Sequence, residues 1–142
     1  MRFNAVIILL VLFSISLCDP VFKVVRVKAG DSAVLKVDLP KSGKVTTWKR
    51  IRQGKTVIEE HVKYCENSKE RPLECDLFVG KDGKVVPPES IPVVFFPEDG
   101  ELGIGPVKTS DFGVYWSPQL NPVSPAERGL NWDPNDIWLI VD

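Results

Sequence analysis

Thr109-Ser110-Asp111-Phe112-Gly113-Val114-Tyr115-Trp116-Ser117 is the stretch on which the fold turns. Side chains of an extended strand alternate between two faces. If Tyr115 and Ser117 enter a core, Val114 and Trp116 point away from it. Upstream, residues 93–96 and 102–107 flank Glu98-Asp99-Gly100, whose Asp-Gly supplies the positive φ of a tight turn, so a hairpin is expected. Downstream, residues 118–135 are rich in Pro, Asn, Gly and Asp and read as a long loop. The run Ile137-Trp138-Leu139-Ile140-Val141 follows as a strand. With Leu139 and Val141 in the core, Trp138 and Ile140 face outward.

The same alternation extends toward the N-terminus. Residues 21–27 alternate loosely and end at the turn signal Ala29-Gly30-Asp31. Residues 33–39 alternate cleanly, with Ala33, Leu35, Val37 and Leu39 on one face and Lys36 and Asp38 on the other. Residues 45–51 hold Trp48, and residues 56–64 mix β-branched and charged side chains. Leu77-Phe78-Val79 and Lys84-Val85-Val86 flank Gly80-Lys81-Asp82-Gly83, predicting another hairpin, while Pro87, Pro88 and Pro92 exclude a central strand. Strand assignment between Tyr64 and Pro92 stays open. Twelve prolines and ten glycines spread between short β runs suit an all-β, antiparallel β-sandwich and no helical bundle.

Residues 1–18 read as a signal peptide. Arg2 is the one charge ahead of an apolar run over residues 5–17, too short for a membrane span of about 20 residues. Ser16 and Cys18 are the small residues required before a cut after Cys18. Residues 19–142 then form one domain, large enough for a single core. The sequence carries 18 basic and 19 acidic residues, and Arg2 would leave with the signal. That balance offers no electrostatic footprint for nucleic acid or anionic membrane. No second apolar stretch is long enough to span a membrane, so a soluble secreted product is expected. Cys65 and Cys75 remain after cleavage, and an even count in an oxidising compartment predicts a disulfide. It would staple the polar excursion over residues 66–74.

Three pieces in order resemble an immunoglobulin domain. Gly30-Asp31-Ser32-Ala33-Val34-Leu35-Lys36-Val37 is similar to the family's second strand, with Val37 where its cysteine stands. Trp48 falls where the third strand places its buried tryptophan. Asp111-Phe112-Gly113-Val114-Tyr115 resembles the motif before the second cysteine, here Ser117. The resemblance implies that Tyr115 forms a tyrosine corner, its hydroxyl bonding back to nearby backbone. It also implies a sandwich that has lost its inter-sheet disulfide as a unit. Packing around Val37, Trp48, Tyr115 and Ser117 must then stabilise the core.

Catalysis has little support. His61 is the one histidine, a nucleophile–base pair would need a Ser or Cys reaching it, and the cysteines are expected to be oxidised. The ligands for zinc are too few, and Asn131, Asp133, Asn135 and Asp136 read as turn chemistry rather than a calcium loop. No enzymatic activity and no cofactor are expected. Alternation instead puts Thr47, Lys49, Ile51, Val114, Trp116, Trp138 and Ile140 on one outer sheet face. Large exposed apolar patches mark interaction sites, and aromatics anchor them. Variable-type immunoglobulin domains pair through this sheet. The leading expectation is a secreted, non-enzymatic module binding an extracellular protein or a second copy of itself. In the opposing reading, residues 64–92 or 118–135 lie across this face. An alternative function is a β-barrel carrier of an apolar small molecule, which needs an enclosed pocket of several hundred Å³.

Overall fold

The alternation read from the sequence resolves into two packed sheets. The computed structural model describes residues 22–39, 43–53, 56–66, 71–88, 91–129 and 131–142. The expected signal peptide lies outside the described residues. The strands are β1 (Lys23–Val27), β2 (Ala33–Lys36), β3 (Thr47–Gln53), β4 (Val57–Lys63), β5 (Val94–Phe96), β6 (Glu101–Ile104), β7 (Gly113–Trp116) and β8 (Ile137–Val141). One sheet runs β1-β8-β7-β3-β4 and the other β2-β6-β5. No described helix is long and apolar enough to cross a membrane. The longest described helix is the single turn α1 (Pro125–Arg128), capped by the Ser124 hydroxyl, which accepts from Glu127 N–H.

Inward positions fill the space between the sheets. Leu35, Val37, Trp48, Leu102, Tyr115 and Leu139 are fully buried. Each such side chain contributes about 1.5–3 kcal/mol on leaving water. Val37 belongs to this cluster, and its N–H donates to Gly100 O at 3.0 Å. The buried Ser117 hydroxyl donates to Thr47 O at 2.8 Å. Tyr115 O–H donates to Asp111 O at 2.6 Å, so the tyrosine bonds back to the turn before its own strand.

The expected β5–β6 hairpin forms. A 3₁₀ turn over Pro97–Asp99 ends at Gly100 with φ 67°, the left-handed conformation that favours glycine. A Cβ there would also press on Val37 O at 2.9 Å.

Two expectations change. The sandwich is not wholly antiparallel, because β1 runs parallel to β8 in the register Val24↔Trp138 and Val25↔Leu139. After β1 the chain turns at Ala29-Gly30-Asp31 and crosses to the other sheet, so β1 has no hairpin partner and lines up beside the last strand. The hairpin expected around Gly80–Gly83 is only a turn, closed by Gly83 N to Gly80 O at 2.9 Å. Val79 pairs instead with His61 on the edge of β4, and Phe78 is drawn into the core. Arg52 takes the Val86 and Pro88 carbonyls at 2.6 and 2.8 Å, occupying the segment that would have been the return strand.

Cys65 and Cys75 form the expected disulfide. Closing a loop of this length restricts the unfolded chain by about 2.5–3 kcal/mol on the entropic account. Glu74, beside Cys75, receives His61 Nε2 at 2.9 Å and Lys63 Nζ at 2.8 Å. Lys63 and then His61 hold its carboxyl below the usual carboxylate range. The stapled excursion is thus tied to β4, and His61 is engaged in that tie.

Candidate binding face

The predicted face is continuous in register. Lys49 lies opposite Trp116, and Ile51 opposite Val114. Val114 in turn lies opposite Trp138, and Trp138 beside Val24. Thr47 and Ile140 share this face by parity. The strands carrying these residues do lie side by side.

At its centre the opposing reading, cover by the protein's own chain, holds. Trp116 is 2% and Val114 8% exposed, so the centre of the face is covered by the protein's own chain. Thr47, Lys49, Ile51, Trp138 and Ile140 are half-buried. Lys49 Nζ lies 3.7 Å from Glu59, across the strand pair. The β7–β8 connection is held close to the sheet: Gln119 Oε1 accepts from Thr46 and Thr47 N–H at 2.6 and 3.0 Å. Arg128 grips Asp136 with two bonds, at 2.8 and 2.6 Å. Such bidentate pairs fix orientation as well as energy.

That connection returns Trp132 onto Trp138, with ring centroids 5.5 Å apart. Phe22 meets Trp132 at 5.1 Å and Trp138 at 6.0 Å. Phe112 approaches Trp138 edge-on at 6.4 Å. Val24 and Phe112, 52% and 41% exposed, border these rings. The exposed apolar side chains therefore lie toward β8 and the edge strand β1 rather than at the β3–β7 centre. Phe22, Val24, Phe112 and Trp132 were missed from sequence. Val24 had a usable signal, since it alternates with the core-packed Val25, but its neighbour could not be read.

The turn residues considered for calcium are engaged within the protein. Asp133 accepts from Asn135 N–H at 2.8 Å and from Asn121 Nδ2 at 3.1 Å. Asn135 Oδ1 accepts from Asp38 N–H at 2.8 Å. Asp136 takes Arg128. Among the described residues no group of three or more His, Cys, Asp or Glu is arranged to hold a metal ion.

A second feature escaped the sequence reading. The inward positions of β3 run Trp48, Arg50, Arg52, and the two arginines are buried with Glu60 and Asp111. Arg50 Nε donates to Glu60 at 2.9 Å and Nη1 to Asp111 at 3.0 Å. Arg52 Nε donates to the same Glu60 oxygen at 2.5 Å. Burial alone would lower the Arg50 pKa; Tyr115 and Glu60 outweigh it and hold the guanidinium above its ordinary value.

Burial pushes the Tyr115 phenol up to about 12, with Arg50 opposing and Asp111 adding to the shift. An unfolded tyrosine ionises near 10. Below about pH 10 the phenol is neutral in both states and its contribution is intact. Between about pH 10 and 12 only the unfolded chain ionises, so stability falls by about 1.4 kcal/mol per pH unit, roughly 2–3 kcal/mol in all. Urea unfolding across this window should show a steeper pH dependence for the wild type than for Tyr115→Phe. Parallel curves would refute the assignment.

The clefts described at the surface are shallow and do not lie between the sheets. One of about 290 Å³ is lined by Tyr64, Phe95 and neighbours, and one of about 220 Å³ crosses the outer face of the three-stranded sheet. The core itself is filled by side chains, and this geometry lends the carrier reading no support. Comparison with family models gives no match for the chain, and comparison with curated proteins gives none either.

Proposed function

We propose that this chain is an immunoglobulin-like domain acting outside the cell as a non-enzymatic module that binds another protein. With β2 taken as the family's strand B, β3 to β8 follow as C, C′, D, E, F and G. The sheets then read C′CFG and BED, the variable-type division without its C″ strand. The bond from Tyr115 to Asp111 supports the same likeness. A disulfide without a membrane-crossing helix among the described residues is compatible with an extracellular setting.

The observation that carries the binding reading is the ring cluster of Phe22, Trp132, Trp138 and Phe112 outside the core. Its border residues Val24 and Phe112 remain open to solvent. Aromatic clusters of this kind supply anchor residues at protein interfaces. The partner is an extracellular protein or a second copy of this chain.

A Val24→Ser/Phe112→Ser variant alters two exposed positions and should keep its fold. Sedimentation equilibrium would test self-association, and capture of proteins from the native extracellular fluid would test a different partner. The wild type should self-associate or capture a partner that the variant loses by about tenfold or more, the weight of one or two anchors. Identical behaviour of a folded variant would sink the proposal.

A further inference from the structure

One guanidinium is already held inside this protein by a defined set of groups. Arg50 Cζ lies 4.3 Å from the Phe78 ring centroid and 5.8 Å from that of Tyr115. The two rings meet edge to face with centroids 5.7 Å apart. Glu60 and Asp111 take the N–H groups. Two tilted rings and a pair of carboxylates suit a planar cation that both stacks and donates in fork geometry.

The same groups recur at the surface. Tyr64, directly after β4, and Phe95 of β5 stand with ring centroids 5.8 Å apart and planes 58° apart. They line a cleft of about 290 Å³ together with Phe96, Glu66, Glu98 and Asp99, and Lys44 is the one cation among its described lining residues. Lys44 Nζ lies 3.7 Å from Glu66, and both side chains are more than half exposed. An exposed pair of this kind contributes little and rearranges readily. Glu98 and Asp99 have no ion pair among the described residues. Three carboxylates against one ammonium make the described lining negative beside its aromatic walls, and Arg71, which borders Tyr64 and Glu66 on the adjoining side, is paired with Asp76.

We infer that this cleft binds the guanidinium of an arginine side chain presented by a partner protein. The aromatic faces stack on the guanidinium plane, and the carboxylates of Glu98 and Asp99 accept its N–H groups. Lysine fits less well, because its ammonium is more strongly hydrated and lacks a planar fork. The cleft adjoins β4, the edge of the five-stranded sheet opposite β1. It is therefore separate from the ring cluster around Trp138, and either site can fail alone.

The test titrates the whole chain with three short capped peptides, Gly-X-Gly with X as arginine, lysine or citrulline. The ring signals of Tyr64 and Phe95 are followed by NMR. Saturable shifts are expected for arginine in the millimolar range, with about tenfold weaker binding of lysine and none of uncharged citrulline. Glu98→Gln/Asp99→Asn should weaken the arginine peptide about tenfold while leaving the rest of the spectrum dispersed as in the wild type. The proposal is overturned by no saturable shift with arginine, by lysine or citrulline binding as well as arginine, or by unchanged binding in a folded double variant.

Discussion

Glu60→Gln is expected to lower the unfolding free energy by about 3–5 kcal/mol, read by urea denaturation at neutral pH. Glu60 is 1% exposed and serves two guanidinium groups that are equally hidden. Its Oε1 accepts from Arg50 Nε and Arg52 Nε, and its Oε2 from Arg52 Nη2 at 3.2 Å. Removing its charge leaves two buried cations with Asp111 as the remaining carboxylate of the group. Breaking a buried pair from one side is costly because the surviving charge cannot recover its hydration. Arg52 would also loosen its hold on the Val86 and Pro88 carbonyls, and with it the segment that follows the Gly80–Gly83 turn. Glu59→Gln, one residue away, is the control. Glu59 faces the opposite side of β4, and its pair with Lys49 is about a third exposed on each side chain. That change should cost no more than about 1 kcal/mol. Similar small costs for both variants would mean that Glu60 is not the buried hub.

The contrast between these glutamates shows what strand periodicity conveys. It assigns a face, and the buried positions Ala33, Leu35 and Leu139 follow it. The same parity places Arg50 and Arg52 on the inner side with Trp48. A charge disfavours a core position unless it is paired, and the pairing rests on Glu60 and on Asp111, which arrives from 61 residues away. Periodicity also says nothing of which strand lies beside which. The parallel seat of β1 against β8 was therefore hidden, and with it the place of Val24 and Phe22 beside Trp138. Trp132 lies in a connection without a period, so its return onto the sheet left no sequence signal. Residues 77–86 misled because a good turn signal does not ensure strands on either side. There, burial of Phe78 and the carbonyl bonds to Arg52 won over hairpin pairing.

The burial of Trp116 gives the second large effect. Trp116→Ala is expected to cost about 3–5 kcal/mol of stability, although the residue lies on the outer face of its sheet. An exposed interface tryptophan would cost within about 0.5 kcal/mol in the free protein. At 2% exposure the indole is packed as in a core, and its removal leaves a cavity that closes only in part, the more so because the β7–β8 connection that follows it in the chain is tethered. Gln119 fixes one end of that connection to the start of β3, and the Arg128–Asp136 pair fixes the other. Indole Nε1 has no hydrogen-bond partner among the described residues, so the cost is one of packing rather than of an orphaned acceptor. Trp138→Ala should separate the two roles. Trp138 is half-buried, so its loss should cost less stability than that of Trp116 while removing the centre of the ring cluster. Measured at a temperature where both variants remain folded, partner binding should survive Trp116→Ala and fail with Trp138→Ala. Loss of binding in a folded Trp116→Ala protein would instead return the contact surface to the centre of the sheet.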